Sequence, residues 1–380
     1  MPHVNRTGKY ITQPGGYKAF IPELLPHKPD IKINRELNKV LSEADRALAR
    51  LDGISYILPN PNLFVAMYMR HEAVLSSQIE GTQSSLEDVL KFEAEKKKKP
   101  GDDRVEVLNY IDAMNYGLER LNTIPLSLRL IKELHKRLMA NTRGGHKTPG
   151  EFRTSQNWIG GNDQFSIEQA VFVPPPVYEM DRALSNLEMF FHNTEIYPAL
   201  IHCGIAHAQF ETIHPFLDGN GRLGRLLITF LLCQQDILKK PLLYLSYYLK
   251  ANRSEYYDRL MAIRNKGDWE GWLEFFLNGV IEVSYKSALT AKNIMDLQRN
   301  HKELIISKVG SRNQGLVLHE YMFDVPYLNS NMVKKHLKCT AKSAISLLNK
   351  FLEIGIVEEI TGGKRNRVFA YSQYLNLFKN

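Results

Sequence analysis

The stretch His214-Pro-Phe-Leu-Asp-Gly-Asn-Gly-Arg-Leu-Gly-Arg225 decides how the rest of the 380-residue chain is read. Pro215 disfavours helical geometry at His214, so the apolar helix expected over 198–213 must end there and the chain must turn. Gly219-Asn220-Gly221 tolerates unusual backbone angles, which lets successive N–H groups converge on one point as an anion nest. A helix starting near Arg222 and running to about 237 aims its free N–H groups and positive dipole end into the same space. Arg222 and Arg225 stand three apart in its first turn, the wrong end of a helix for cations by about 0.3–1 kcal/mol each when exposed. A phosphate held between nest and guanidinium groups turns that penalty into attraction. The structural alternative is that both arginines reach back to acidic side chains of the body.

His214 and Asp218 add chemistry to this anion site. A neutral imidazole at its mouth can take a proton from a hydroxyl attacking phosphorus, and a carboxylate four residues on can hold Mg²⁺ against phosphate oxygens. Taken singly, His214 could be a turn histidine on a backbone carbonyl and Asp218 a turn former before glycine. Gly219, Gly221 and Gly224 also fit GxGxxG, but a helix and a His-Pro turn precede them where a dinucleotide site needs a strand. Neither a Walker loop nor HExxH occurs, and His202 and His207, five apart, are expected as satisfied core histidines.

Working outward, apolar residues make up 44% and charged residues 24%, an ordinary globular composition with room for two or three domains. No apolar run approaches the ~18 residues of a membrane span, and residues 1–21 lack the apolar core of a secretory signal. Cys203, Cys233 and Cys339 lie far apart without CxxC spacing, which argues against disulfides or a cysteine metal site and favours a cytoplasmic protein. The net charge of +8 is uneven: residues 291–380 carry 14 Lys and Arg against 7 Asp and Glu, leaving only +1 on the first 290. A near-neutral body with a basic tail suggests two parts with different partners, the second polyanionic unless its lysines merely solvate a surface.

Periodicity makes the body mainly α. Residues 1–30 read as an aperiodic arm over the body. Helices are expected from 34 to 51, ending at Asp52-Gly53, then at 61–80 with Gly81 as its stop. A further one is capped by Ser84 and Ser85 and ends in the solvated run Lys96 to Lys99. Others fall at 103–121, 127–140, 178–192, 252–265 and 268–289. Residues 143–176, rich in Gly and Pro, read as an irregular hairpin, and a loop of that length is usually functional. In the tail, helices near 301–322, 330–337 and 340–354 followed by a basic hairpin around Gly362-Gly363 spell a winged helix.

His214 to Arg225 matches, position for position, the HPFx(D/E)GNGRxxR signature, so the chain resembles the Fic-domain proteins, which transfer AMP from ATP to a Ser, Thr or Tyr hydroxyl of a target protein. Gly150-Glu-Phe-Arg-Thr-Ser-Gln-Asn-Trp-Ile-Gly-Gly161 and Val173-Pro-Pro-Pro176 look like the family's flap, which clamps the target by strand addition. The resemblance implies a Fic-type helical bundle with a β-hairpin flap at 143–176 and a small C-terminal winged helix. The expected parts are an N-terminal region 1–100, a catalytic core 101–290 and a tail 291–380. It implies His214 as general base, Asp218 as the Mg²⁺ ligand, and Gly219, Asn220 and Gly221 as the anion hole. Arg222 and Arg225, with Leu223 and Gly224 between them, would hold the triphosphate, and Gly221 in place of Lys favours AMP transfer over phosphorylation. Tyr256, Tyr257 and Asn265 resemble positions lining an adenosine pocket, or else pack helices.

Ser76-Ser-Gln-Ile-Glu-Gly81 fits the family's inhibitory pattern (S/T)xxxE(G/N). Ser76 and Glu80 are one helical step of four apart, and Gly81 ends the helix, so Glu80 can reach Arg225 and occupy the γ-phosphate position. In relatives the same glutamate also positions a water that removes AMP. Expected partners are ATP, the target protein at the flap, self-modification, and for the tail either DNA, another protein or a second copy of the chain. The rival reading is a nucleotide-sensing DNA-binding regulator, with Lys334, Lys335, Lys338, Lys342, Lys364, Arg365 and Arg367 on the recognition helix and wing.

Overall fold

The computed structural model describes residues 6, 8–28, 30–58, 61–95, 103–160, 166–310, 312–363 and 367–378. The run Lys96 to Lys99, Gly161, Lys364 and Arg365 therefore lie outside the described residues. The expected aperiodic arm contains a hairpin: β1 (Gly8–Thr12) pairs antiparallel with β2 (Lys18–Pro22), Tyr10 opposite Phe20. Ala19, Phe20 and Ile21 of β2 are all buried, because the strand is sandwiched under the body and shows no alternation to read.

Helix α1 (Arg35–Ile57), capped by Asn34, runs through Gly53 and does not stop there as expected. Leu58 beyond the glycine is buried and Ile54 packs on the core, and their burial outweighs the ~1 kcal/mol that glycine costs a helix. Helix α2 (Pro61–Ile79) is buried nearly all round. It ends in a Schellman motif, with Gly81 N–H on the Gln78 carbonyl at 3.1 Å, Thr82 N–H on that of Ser77 at 3.2 Å, and Gly81 at φ +100°. Helix α3 (Leu86–Glu95) opens on a reciprocal cap, Ser85 Oγ accepting from Asp88 N–H while the Asp88 carboxylate accepts from Ser85 N–H.

Helices α4 (Asp103–Leu121) and α5 (Leu128–Leu138) fall where periodicity placed them. Among the described residues, the hairpin expected over 143–176 is held by a two-bond bridge between Ile159 and Phe172, with a 3₁₀ turn at Ile167–Gln169. The N-terminal hairpin extends it, since Phe20 N–H donates to the Val173 carbonyl at 2.9 Å. Helix α6 (Val177–His192) leads into α7 (Ala199–Ile213) and α8 (Asn220–Gln234), which are almost wholly buried and form the centre of the body. They are joined by the His214–Gly219 turn.

Beyond them lie α9 (Ser246–Ala251), α10 (Arg253–Lys266) and α11 (Trp269–Lys308). The helix expected to end at 289 and the one expected to begin near 301 are parts of α11, whose apolar positions Val280, Val283, Ala291, Ile294 and Ile305 stay buried along its length. The boundary drawn at 291 therefore falls inside a continuous helix. The tail continues with α12 (Arg312–Met322), β3 (Tyr327–Asn329), α13 (Ser330–Leu337), α14 (Ala341–Glu353), β4 (Glu358–Glu359), β5 (Val368–Ala370) and α15 (Ser372–Asn376). Its sheet has the antiparallel order β3-β5-β4, the helix and hairpin order expected of this segment. The tail docks on α2: Phe378 lies against Tyr68 and His71, and Arg70 meets Asp324 at 3.7 Å.

Candidate active site

The α7–α8 turn is held group by group. His214 closes α7 in the left-handed conformation at φ 49°, ψ 62°, and its carbonyl accepts from Arg153 Nε and Asn157 Nδ2, both at 3.1 Å. Asn220 brackets Phe216, accepting from its N–H at 2.9 Å and donating to its carbonyl at 2.8 Å. The His135 ring stacks on Phe216 at 3.7 Å. Its Nδ1 accepts from Gly150 N–H at 2.8 Å, which leaves Nε2 as the N–H that donates to the Asp218 carbonyl at 3.0 Å. Gly219, at φ 76°, caps α8, and the N–H groups of Asn220, Gly221 and Arg222 follow in its first turn, beyond reach of any carbonyl of the helix. The backbone of this turn is thus fixed for presenting N–H groups to an anion, while the Asn220 side chain serves the turn itself.

Each expected charged residue has a definite partner. Arg225, 3% exposed, donates from Nη2 to Glu80 Oε1 at 2.7 Å and to the Ser76 carbonyl at 2.8 Å, and from Nε to Ser76 Oγ at 2.8 Å. Arg222, also buried, donates to Glu106 Oε2 at 3.0 Å and lies 3.7 Å from Asp218 Oδ1. Both arginines therefore reach acids of the body, as the structural alternative had it. Glu106 is buried with Arg222, whereas Glu80, like Asp218, is partly exposed and can leave its arginine without stranding a buried charge of its own. Asp218 Oδ1 accepts from Gly219 N–H at 2.6 Å and its Oδ2 lies 3.5 Å from Lys147 Nζ. A single half-exposed carboxylate beside an anion nest is the oxygen donor set Mg²⁺ takes when phosphate and water complete its shell. No group of three or more metal-ligating side chains occurs among the described residues.

Burial pushes the His214 imidazole down to about 4, helped by Arg264 and Arg153 and opposed by Glu80, so the ring is neutral at pH 7. Its buried Nδ1 has no hydrogen-bond partner among the described residues. Arg264 stacks on Phe172 of the hairpin at 3.8 Å. Arg153, 1% exposed, also donates to the carbonyls of Ser155 and Pro175, tying the hairpin to the α7–α8 turn.

Tyr256, Tyr257 and Asn265 fare differently from one another. Tyr256 is a core residue whose hydroxyl donates to His207 Nε2 at 3.0 Å, while His207 Nδ1 donates to the Gly224 carbonyl. Tyr257 is partly exposed beside it, and Asn265, exposed, accepts from the Tyr10 hydroxyl of the N-terminal hairpin at 3.1 Å. His202 is the satisfied core histidine expected, bonded to the Phe190 carbonyl at 2.7 Å. On the tail, Lys334, Lys335, Lys338 and Lys342 are exposed, whereas Arg367 pairs with Glu359 at 2.9 Å. No helix among the described residues is long and apolar enough to cross a membrane.

Not legible in the sequence are Glu106, His135, Arg153 and Asn157, which come from other elements to hold the turn and its arginines, and Glu211, buried on the last turn of α7. For Arg153 and Asn157 a signal existed, polar residues inside a Gly- and Pro-rich segment, but nothing local pairs them with residue 214.

The helical body thus brings together a glycine-capped helix start, a neutral buried imidazole and an arginine paired with a partly exposed glutamate. Residues 38–119 match the Fic/DOC family N-terminal model and residues 125–232 the Fic/DOC family model, together half of the chain. The chain belongs to the Fic/DOC family. It is 30% identical over 248 residues to the protein adenylyltransferase Fic of Drosophila virilis, covering 63% of this chain and 44% of the relative. To that of Aedes aegypti it is 28% identical over 283 residues, covering 69% and 50%. The chain thus spans half or less of these curated relatives. The fold resembles the crystal structure of a Fic family protein from Desulfovibrio desulfuricans G20, with a TM-score of 0.58 at 20% identity over 90% of this chain and 97% of that one. It also resembles a Fic domain containing signaling protein from Bacteroides thetaiotaomicron, with a TM-score of 0.52 at 15% identity over 66% and 97%.

Proposed function

We propose that the protein is an adenylyltransferase that moves AMP from ATP to a Ser, Thr or Tyr hydroxyl of a target protein and of itself, and that Glu80 restrains it. The supporting relatives are named protein adenylyltransferases. The observation that carries the reading is the α8 start, where anion-facing N–H groups sit within one turn of Arg225 and its Glu80 partner.

In this reading the target hydroxyl gives its proton to neutral His214 as its oxygen bonds the α-phosphorus. The bond from that phosphorus to the bridging oxygen breaks, and pyrophosphate leaves. The N–H groups of Gly221 and Arg222 stabilise the charge on the non-bridging oxygens, positioning and electrostatics supplying most of the rate. Asp218 would hold Mg²⁺, which supplies charge neutralisation on the phosphates when bound. Arg225 takes the γ-phosphate only when Glu80 releases it. The hairpin presents its edge around Ile159 to the target, and Glu80 in place would orient a water for removal of AMP. Residues 1–100 then carry the restraint, 101–290 the chemistry, and 291–380 recognise a further partner, DNA or protein, inside the cytoplasm. Incubation with ATP labelled on the α-phosphate tests this: label on protein supports it, and nucleotide binding without transfer removes it in favour of a nucleotide-sensing DNA binder.

A further inference from the structure

A second buried acid, outside the motif and its inhibitory partner, packs against the turn of α8 that carries the same arginine. Glu211 lies on the last turn of α7 and is 6% exposed. Its carboxyl fills a notch in α8: a Cβ at Gly224 would come within 2.2 Å of Glu211 Oε1, so only glycine leaves it room. That oxygen has no hydrogen-bond partner among the described residues, although burial makes an unsatisfied carboxyl oxygen costly.

The groups that act on Glu211 come from every side of the site. Arg225 of α8 and Arg264 of α10 attract its charge, and Glu80 at the end of α2 repels it. Tyr256 and Tyr257 of α10 feel the same carboxyl, and His214 follows one turn along α7. Arg264 is itself committed elsewhere, donating to the Glu211 backbone carbonyl and to Thr212 Oγ1, both at 3.2 Å. Burial raises the Glu211 carboxyl to about 7, so near neutrality it passes readily between acid and carboxylate.

A buried guanidinium stripped of its counter-charge is strongly disfavoured. While Glu80 holds Arg225, a second carboxylate beside the pair is superfluous and Glu211 favours its proton. Glu72 of α2, the other buried carboxyl that Arg225 acts on, already accepts from Ser246 and Tyr110, so once Glu80 leaves, the unpartnered Glu211 is the carboxyl that can ionise and balance Arg225. An arriving triphosphate restores the excess of negative charge. We infer that Glu211 is the reserve counter-ion of Arg225, releasing a proton to solvent when that arginine loses its anionic partner and regaining one when a nucleotide triphosphate binds. This rests on the nucleotide reading above and adds to it a proton carried with the ligand.

The test is calorimetric titration of the full-length Glu80→Gly protein with Mg²⁺ and α,β-methylene-ATP, which cannot transfer AMP, in pH 7 buffers of different ionisation enthalpy. About half a proton should be taken up per nucleotide, and the uptake should vanish in Glu80→Gly/Glu211→Gln. In Glu80→Gly itself, with no second substitution, affinity should weaken by up to tenfold per pH unit as pH rises toward about 7 and level off above it. Equal uptake in both proteins, or an affinity that stays flat as pH rises toward about 7, overturns the role of Glu211 while leaving nucleotide binding intact. Failure of Glu80→Gly to bind the nucleotide overturns the nucleotide reading and this inference with it.

Discussion

Arg225 and Glu80, 145 residues apart in the chain, meet at 2.7 Å at the start of the largely buried helix α8. The contact joins the end of α2 to the first turn of α8, so whatever shifts α2 alters the charge state of the anion site. Ser76 completes the clamp with its hydroxyl and carbonyl.

Ser76→Ala removes one charge-assisted hydrogen bond from Arg225 but leaves the ion pair. It should cost about 2 kcal/mol of stability and raise AMP transfer less than Glu80→Gly does. Denaturant unfolding and labelled-ATP transfer, measured on the same preparations, check both halves.

Arg153 holds the His214 carbonyl and the hairpin without facing an anion, so Arg153→Met should act on turnover and not on nucleotide affinity. We expect kcat to fall by about tenfold or more, equivalent to about 1.4 kcal/mol in the barrier, with Kd for ATP little changed. A matching loss in Kd would place Arg153 on the nucleotide instead.

Gly224→Ala drives a Cβ into Glu211 Oε1 within a packed helix pair. Overpacking of this kind costs about 1–3 kcal/mol, and a lowered Tm is the expected outcome. An unchanged Tm would mean the Glu211 carboxyl has room to move away.

Acid should destabilise the protein before its ordinary carboxylates titrate. Burial holds His27, His71, His135, His207 and His214 at about 4, against 6.5 in the unfolded chain. Between those values the unfolded chain binds more protons, so stability falls as pH drops from about 6.5 to 4, by about 1.4 kcal/mol per unit for each histidine fully in that window. Glu211 and Glu72, whose carboxyls burial raises, act in the opposite sense but are fewer. Thermal scans from pH 7 to 5 should show a falling Tm, and a flat profile contradicts the burial of these rings.

Most helices were legible because their apolar faces recur at three and four residues and their ends carry local signals, as with Ser85 before α3 and Gly81 after α2. Gly53 misled because the burial of Leu58 against distant helices is a tertiary fact. The same holds for β2, whose residues are buried together under the body, and for α11, which passes through the composition change at 291. At the site, His214 to Arg225 could be read from its turn chemistry, and the four-residue step from Ser76 to Glu80 from helix geometry. Glu106 and Glu211 could not, since a buried acid declares itself only through the arginine or glycine opposite.

The most direct test of the account is covalent labelling of the wild type, Glu80→Gly and Glu80→Gly/His214→Ala with Mg²⁺ and α-phosphate-labelled ATP, read by mass spectrometry of the protein. The account predicts a gain of AMP that is weak in the wild type, strong in Glu80→Gly and absent in the double variant. Equal labelling of wild type and Glu80→Gly would contradict the restraint by Glu80, and labelling that survives loss of His214 would contradict its role as the base.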